Sequence, residues 1–223
     1  MSDAPRAVVF DWDNTLVDSW ATIHEALVLT FTAMGREPWS FAETKLKVRQ
    51  SLRDAFPVLF GDRWEEARKL YLDSFTAIHL ERLTAVRGAE DLLKDVRTAG
   101  FYSALLSNKT GRLLRREVEH LGWGGYFTKL IGAGDAGADK PDPLAMAMAL
   151  EGSGFAGNTV WYVGDTAIDM ECAARAGCVG VLVGAVDPAD PGFVQYPPAQ
   201  TFADVTALAR HLTAAAPRSS ETR

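Results

Sequence analysis

Cysteine is scarce in this chain: only Cys172 and Cys178 occur among 223 residues. Their spacing makes neither a Cys-x-x-Cys pair nor a disulfide framework, so both are expected to be small core residues. Histidine is scarce as well. His24, His79, His120 and His211 are scattered, with neither zinc-ligand spacing nor a serine-elbow context, and surface or packing roles are expected for them. Positive charge is in deficit, with 23 Lys and Arg against 29 Asp and Glu. That balance excludes a nucleic-acid footprint, which needs clustered basic residues to displace counterions. No apolar run approaches the length of a membrane span, and the segment Met1–Arg6 carries no signal-peptide pattern, so a cytoplasmic protein without membrane attachment is expected. Internal repeats and low-complexity segments are also missing. What is present is 48% apolar residues, enough for one large domain or a domain carrying a smaller insertion.

Short apolar runs recur at Ala7–Phe10, Tyr102–Leu106, Leu130–Ile131, Val160–Val163 and Val179–Val183, and each has the character of a buried parallel strand. Between them Glu90–Ala99, Arg112–Leu121, Leu144–Leu150 and Ile168–Ala176 have helical spacing, and most end at a glycine such as Gly100, Gly122 or Gly177. This alternation predicts an α/β fold with a doubly wound parallel sheet. Residues 18–83 break the rhythm. They hold no convincing strand and predict amphipathic helices at Ala21–Met34, Phe41–Phe56 and Trp64–Leu83, hence a helical cap inserted into a core made of residues 1–17 and 84–223. Asp187–Pro198 is expected to be irregular, Asp204 to cap a last helix reaching about Ala214, and 217–223 to be a frayed tail.

The chemistry-bearing residues fall at strand ends. Asp11 and Asp13 follow the first strand, where both can reach a pocket beyond the carboxyl edge of the sheet. Asp11 is suited to attack phosphorus and form an aspartyl-phosphate, and Asp13 to protonate the leaving oxygen and then activate water. A carboxylate approaching a phosphate dianion meets charge repulsion, which a hard divalent cation held by oxygen ligands relieves; Mg²⁺ fits best. A second acidic pair in Gly164-Asp165-Thr166-Ala167-Ile168-Asp169 supplies Asp165 as metal ligand and Asp169 as its support, with Gly164 allowing close backbone approach. Ser107 can donate to phosphoryl oxygens, and Lys140 can neutralise charge as it moves in the transition state.

Asp11-x-Asp13-x-Thr15, Ser107, Lys140 and Gly164-Asp165-x-x-x-Asp169, in this order and over nearly the whole chain, resemble the haloacid-dehalogenase-like hydrolase superfamily, in particular its phosphoglycolate-phosphatase-like members with a helical cap. The resemblance implies Mg²⁺ bound by the carboxylates of Asp11 and Asp165 and the backbone carbonyl of Asp13. It also implies a substrate phosphate met by Ser107, the backbone amide of Asn108, and Lys140, with Thr15 in the same binding loop. Asn14 stands where such phosphatases commonly have glycine, and asparagine tolerates the left-handed backbone that the turn requires. The expected activity is Mg²⁺-dependent hydrolysis of a small organic phosphate monoester, with phosphoglycolate one candidate. The expected partner is a small phosphorylated metabolite, and the expected state is a monomer or homodimer.

Rival patterns remain beside this reading. Gly132-Ala133-Gly134-Asp135-Ala136-Gly137 matches a dinucleotide fingerprint, but Asp139-Lys140-Pro141-Asp142-Pro143 interposes a proline-broken loop where a helix should open, so a glycine-rich loop delivering Lys140 is expected. Arg49 and Arg53 lie four apart on a helix of the insert; a solvated face is the plain reading, and reaching an acidic group of the substrate the functional one. Trp12, Trp20 and Trp39 are expected to pack, and Lys109, Arg112, Arg115 and Arg116 to form a solvated basic run whose Lys109 could add to the phosphate field. A sugar phosphomutase would use the same core residues, and a non-catalytic interaction module could keep the same fold. Haloacid dehalogenation is disfavoured because Asp13 supplies an acid/base group that the dehalogenases lack.

Overall fold

The computed structural model describes residues 4–48 and 51–215; Arg49 and the tail from 217 lie outside them. The chain begins with β1 (Ala7–Phe10) and β2 (Val17–Asp18) and then runs through helices α1 (Trp20–Ala33), α2 (Phe41–Lys47), α3 (Leu52–Phe60) and α4 (Trp64–Ile78). It returns through β3 (Thr84–Ala85) to α5 (Ala89–Thr98), β4 (Tyr102–Thr110), α6 (Gly111–His120), β5 (Lys129–Ala133) and α7 (Pro143–Leu150). The last elements are β6 (Val160–Gly164), α8 (Ala167–Arg175), β7 (Val179–Val183), β8 (Gln200–Phe202) and α9 (Val205–Ala215).

Six strands form one sheet in the order β5-β4-β1-β6-β7-β8, and every pairing in it is parallel. β1 is the hinge of the winding. Its Val8 and Phe10 pack with α5, α6 and α9 on one face, while Ala7 and Val9 pack with α7 and α8 on the other. Side chains alternate across a strand, so a strand covered on both faces must be apolar at every position, which is why these runs are continuous and not alternating. The strand order reverses direction beside β1, and the crevice beyond its carboxyl end is where such sheets bind ligands.

Two expectations about the helical stretch need correction. The helix expected over Phe41–Phe56 is two helices, since Val48 is extended and Ser51 restarts the chain as the N-cap of α3. At the start of α2, Ser40 Oγ accepts from Glu43 N at 3.2 Å and Glu43 Oε2 accepts from Ser40 N at 2.9 Å, a reciprocal cap that fixes that helix. The helix expected to reach Leu83 stops at Ile78. Ile23, Leu27, Phe31, Phe56, Phe60, Tyr71 and Phe75 give these helices an apolar core of their own, joined by Leu113 from α6. Both ends of the stretch meet in a short antiparallel pair, Val17 with Ala85 and Asp18 with Thr84. Three strands, β2, β3 and β8, were absent from the expected set because two or three residues are too few to show a period.

Candidate active site

Asp11 follows β1 directly, and its backbone N–H donates to Val163 O at 2.8 Å, so the sheet ladder continues to the nucleophile candidate itself. After it the chain turns sharply: Asn14 has φ 63°, and its N–H donates to Val17 O at 2.6 Å. Asparagine therefore holds the left-handed position that glycine would otherwise fill. Its Oδ1 also accepts from Ser19 N at 3.2 Å. Thr15 is buried, with its hydroxyl 3.4 Å from Asp11 Oδ2 and 3.3 Å from Asp165 Oδ1. At these distances the bonds are weak, and the hydroxyl lies between the two carboxylates, away from the cavity lining.

Lys140 is the centre of charge. Its ammonium is buried and lies 2.7 Å from Asp11 Oδ1 and 2.7 Å from Asp169 Oδ1. Burial works against its charge, but the two carboxylates outweigh that and raise its pKa. The loop that carries it is fixed by Asn108, whose Oδ1 accepts from Lys140 N at 3.0 Å and whose Nδ2 donates to Lys140 O at 3.1 Å. Asn108 thus acts on the lysine through its side chain, beyond the backbone amide that the family resemblance emphasises. β4 makes this possible, because its register shifts between Leu106 and Thr110 and re-aims Ser107, Asn108 and Lys109 at the strand end. Ser107 is buried, and its Oγ accepts from Lys109 N at 3.2 Å.

Asp169 has every oxygen occupied. Oδ1 faces Lys140 and, at 3.1 Å, the Tyr162 hydroxyl; Oδ2 accepts from Thr166 N at 3.0 Å and from Thr166 Oγ1 at 2.6 Å. It both caps the start of α8 and orients Lys140. Gly164 is required here, since a Cβ on it would lie 2.4 Å from Asp169 Cγ. Asp165 is different: burial and the neighbouring Asp11 and Asp169 carboxylates push its carboxyl well above the ordinary range. Burial likewise pushes Asp11 up to about 7, with Lys140 opposing and Asp169 adding to the shift.

Carboxylate oxygens of Asp11, Asp165 and Asp169 lie within 4.8 Å of one another. Three carboxylates against one ammonium leave an excess of negative charge, and hard oxygen donors suit a hard divalent cation, so the residues fit such an ion. With Asp169 already saturated, Asp11 and Asp165 have the oxygens to offer. The Asp13 carboxylate points elsewhere: its Oδ1 is 2.7 Å from Lys109 Nζ and accepts from the Ser19 hydroxyl.

A cavity of about 140 Å³ opens over these groups, lined by Asp11, Asp13, Ser107, Asn108, Lys140 and Asp165 on the sheet side. Trp20, Ile23, Leu52 and Phe75 line it from the helical stretch. Trp12 and Trp39 do not reach it. Trp12 meets Trp123 edge-on at 5.8 Å, and Trp39 lies against Phe31 at 4.8 Å. Arg53 is absent from the lining too; its guanidinium crosses to the loop before Lys140 and pairs with Asp139 Oδ1 at 3.0 Å. The neighbouring Arg49 lies outside the described residues.

The solvated basic run needs correction at one position. Lys109 is buried between Asp13 and Glu117, its ammonium 2.6 Å from Glu117 Oε2. His79, expected at a surface or in plain packing, has Nδ1 2.7 Å from Glu117 Oε1. A signal for Glu117 did exist: it stands on the apolar row of α6, four residues after Leu113 and three after Leu114. The glycine-rich Gly132–Gly137 segment also has its explanation, because a Cβ on Gly132 would lie 2.4 Å from Gly111 Cα. That glycine lets β5 and the start of α6 touch, and α7 begins only at Pro143.

Among the described residues, no helix is long and apolar enough to cross a membrane. The chain is similar to several known proteins. A phosphoglycolate phosphatase of Pseudomonas fluorescens is 30% identical over 192 residues, covering 81% of this chain and 70% of the relative. One of Psychrobacter arcticus is 24% identical and covers 95% of this chain and 97% of the relative. A haloacid dehalogenase-like family hydrolase from Streptococcus pneumoniae superposes with a TM-score of 0.82 at 20% identity, over 93% of this chain and 98% of that one. The family model for haloacid dehalogenase-like hydrolases matches residues 8–183, from β1 through β7, and the chain belongs to that family.

Proposed function

We propose that the protein is a Mg²⁺-dependent phosphatase that hydrolyses a small organic phosphate monoester through an aspartyl-phosphate on Asp11. The observation that carries this reading is the meeting of Lys140 with Asp11 and Asp169, each at 2.7 Å, beside Asp165 and Ser107 at one end of the sheet. Asp11 Oδ1 is paired with the ammonium, which leaves Oδ2 as the attacking oxygen. Lys140, the Ser107 hydroxyl and the Asn108 amide neutralise and orient the phosphoryl oxygens, where such preorganised donors act most strongly. Asp13 protonates the departing alkoxide and in the second half-reaction takes a proton from the attacking water. Asp11, Asp165 and the Asp13 carbonyl would hold a divalent cation, which when bound would supply Lewis-acid neutralisation of the phosphate charge.

The helical stretch 18–83 serves as a cap that admits the alcohol portion and excludes water when closed. Its described wall over the cavity is mostly apolar, through Trp20, Ile23, Leu52 and Phe75, with Tyr71 among them. A small phosphorylated metabolite is the partner, and a monomer or homodimer acting in the cytoplasm suffices for it. Phosphoglycolate is the ester named in the relatives' descriptions, and it heads the panel to be assayed.

The test is phosphate release from a panel of phosphorylated metabolites with and without Mg²⁺. Release that requires Mg²⁺ and disappears in Asp11→Asn is the expected result. No release from any ester would overturn the reading, and isomerised sugar phosphate in place of free phosphate would replace it with mutase chemistry.

A further inference from the structure

One buried charge in this protein has no part in the chemistry so far. Glu117 is fully buried, and an isolated carboxylate there would cost several kcal/mol. Three donors hold it. Trp12 Nε1 and Lys109 Nζ both reach Oε2 at 2.6 Å, and His79 Nδ1 reaches Oε1 at 2.7 Å. Burial alone would raise the Glu117 pKa, but Lys109, His79 and Trp12 together lower it.

The donors come from three separate parts of the chain. Trp12 lies between Asp11 and Asp13, Lys109 lies two residues past Ser107, and His79 ends α4, the last helix of the insert. Lys109 then carries the contact onward, since its ammonium is 2.7 Å from Asp13 Oδ1. The Ser19 hydroxyl donates to the same oxygen, so both bonds converge on Oδ1 and neither occupies Oδ2.

We propose that Glu117 is a positioning residue for Asp13, acting through Lys109, and that His79 ties this positioning to the last helix of the insert. The inference rests on the reading of Asp13 as proton donor to the leaving oxygen. A lysine ammonium has three donors on a flexible stem, and without an anion behind it nothing keeps it on one oxygen of one carboxylate. Glu117 supplies that anchor, and Trp12 fixes the anchor to the nucleophile turn itself. With Oδ1 held at two points, the plane of the Asp13 carboxylate is set and Oδ2 is the oxygen free to meet the leaving group. Displacing a reacting group by about 1 Å can cost on the order of 10²-fold in rate.

The experiment uses the full chain with Mg²⁺ and a graded series of aryl and alkyl phosphates, from 4-nitrophenyl phosphate, whose leaving group needs no proton, to simple alkyl phosphates, whose leaving group does. Glu117→Gln should lower kcat on alkyl phosphates by about tenfold or more, with a much smaller loss on 4-nitrophenyl phosphate and little change in KM. Asp13→Asn gives the reference pattern, the same steepening carried further. In case Glu117→Gln folds poorly, the double variant Lys109→Met/Glu117→Leu removes both buried charges together, which proteins tolerate far better than removing one. It leaves Trp12 Nε1 and His79 Nδ1 without that acceptor, at about 1–3 kcal/mol each, and should show the same steepening in the fraction that folds. An equal loss across the whole series, in either variant, would overturn the positioning role and leave Glu117 a structural residue. A wild-type protein that turns over none of these esters would instead overturn the phosphatase reading and this inference with it.

Discussion

Replacing Lys140 with methionine keeps the shape of the side chain and removes its charge. In the wild type one ammonium compensates Asp11 and Asp169 at 2.7 Å each, with Asp165 close by. Breaking a buried pair by deleting one partner typically costs about 3–5 kcal/mol, because the remaining charge stays buried without compensation. At roughly 2–4 °C per kcal/mol for a domain of this size, the variant should melt about 6–20 °C lower. The measurement belongs in EDTA, so that no cation takes over the compensation. The sign with pH follows from the same carboxylates. Without Lys140 the Asp11 pKa, already raised by burial, rises further above its unfolded value. The folded variant then binds a proton on Asp11 at pH values where the folded wild type, titrating near 7, does not, so its deficit should narrow as the pH falls toward about 7 and level off below it. Adding Asp169→Asn removes one of the stranded charges and should recover on the order of 1 kcal/mol. Phosphatase turnover should fall by about 10²–10³ or more. A Lys140→Met protein that melts within about 2 °C of wild type in EDTA, or a double variant no more stable than the single, would refute the electrostatic account.

Two further expectations concern packing and reactivity. Gly132→Ala should lose about 1–3 kcal/mol, because its Cβ would lie 2.4 Å from Gly111 Cα and 2.7 Å from Lys109 O, both backbone atoms that cannot swing aside. Gly124→Ala, which meets nothing within 4 Å, is the control, and equal melting temperatures for the two would contradict the close approach. Burial pushes the Cys172 thiol up to about 12 and Cys178 up to about 11, so neither should react appreciably with a disulfide reagent near pH 8 until the chain is unfolded. A fast-reacting thiol in the native protein would count against the packing around α8.

Much of the core could be read from the sequence because a strand buried on both faces leaves an unmistakable apolar run; Ala7–Phe10 and Val179–Val183 agree with the structure to the residue. The acidic, hydroxyl and lysine residues are legible only as a set: each alone is ordinary after a strand, and it is their order along the chain that marks them, which the fold brings to one cavity as Asp11, Ser107, Lys140 and Asp165. What escaped was set by tertiary contact. Lys109 is indistinguishable in sequence from the arginines that follow it, one of which, Arg115, does lie at the surface in a two-bond pair with Asp135. Only the fold, by bringing Glu117 and Asp13 to either side, decides that Lys109 is buried. For Asp169, expected beside the metal as the support of Asp165, spacing does not show its partners: the helix start at Thr166 takes one oxygen and Lys140 the other, within reach of Asp11 and Asp165. The break between α2 and α3 was hidden because Ser51 lies inside a stretch whose apolar spacing continues across it.

The pairing of Val17 with Ala85 and Asp18 with Thr84 brings the two ends of a long excursion side by side. The register of a core built this way depends little on the length of what lies between those ends, although His79 at the end of α4 still reaches Glu117 in the core. Loop-closure entropy changes slowly with length, so residues can be gained, lost or exchanged in the helices without disturbing the register of β1 against β4 and β6. The acidic residues at the end of β1 and the apolar wall above them therefore come from separate parts of one chain. Substitutions among the helical residues that line the cavity, Trp20, Ile23, Leu52 and Phe75, can reshape its wall while β1 keeps Asp11 in place.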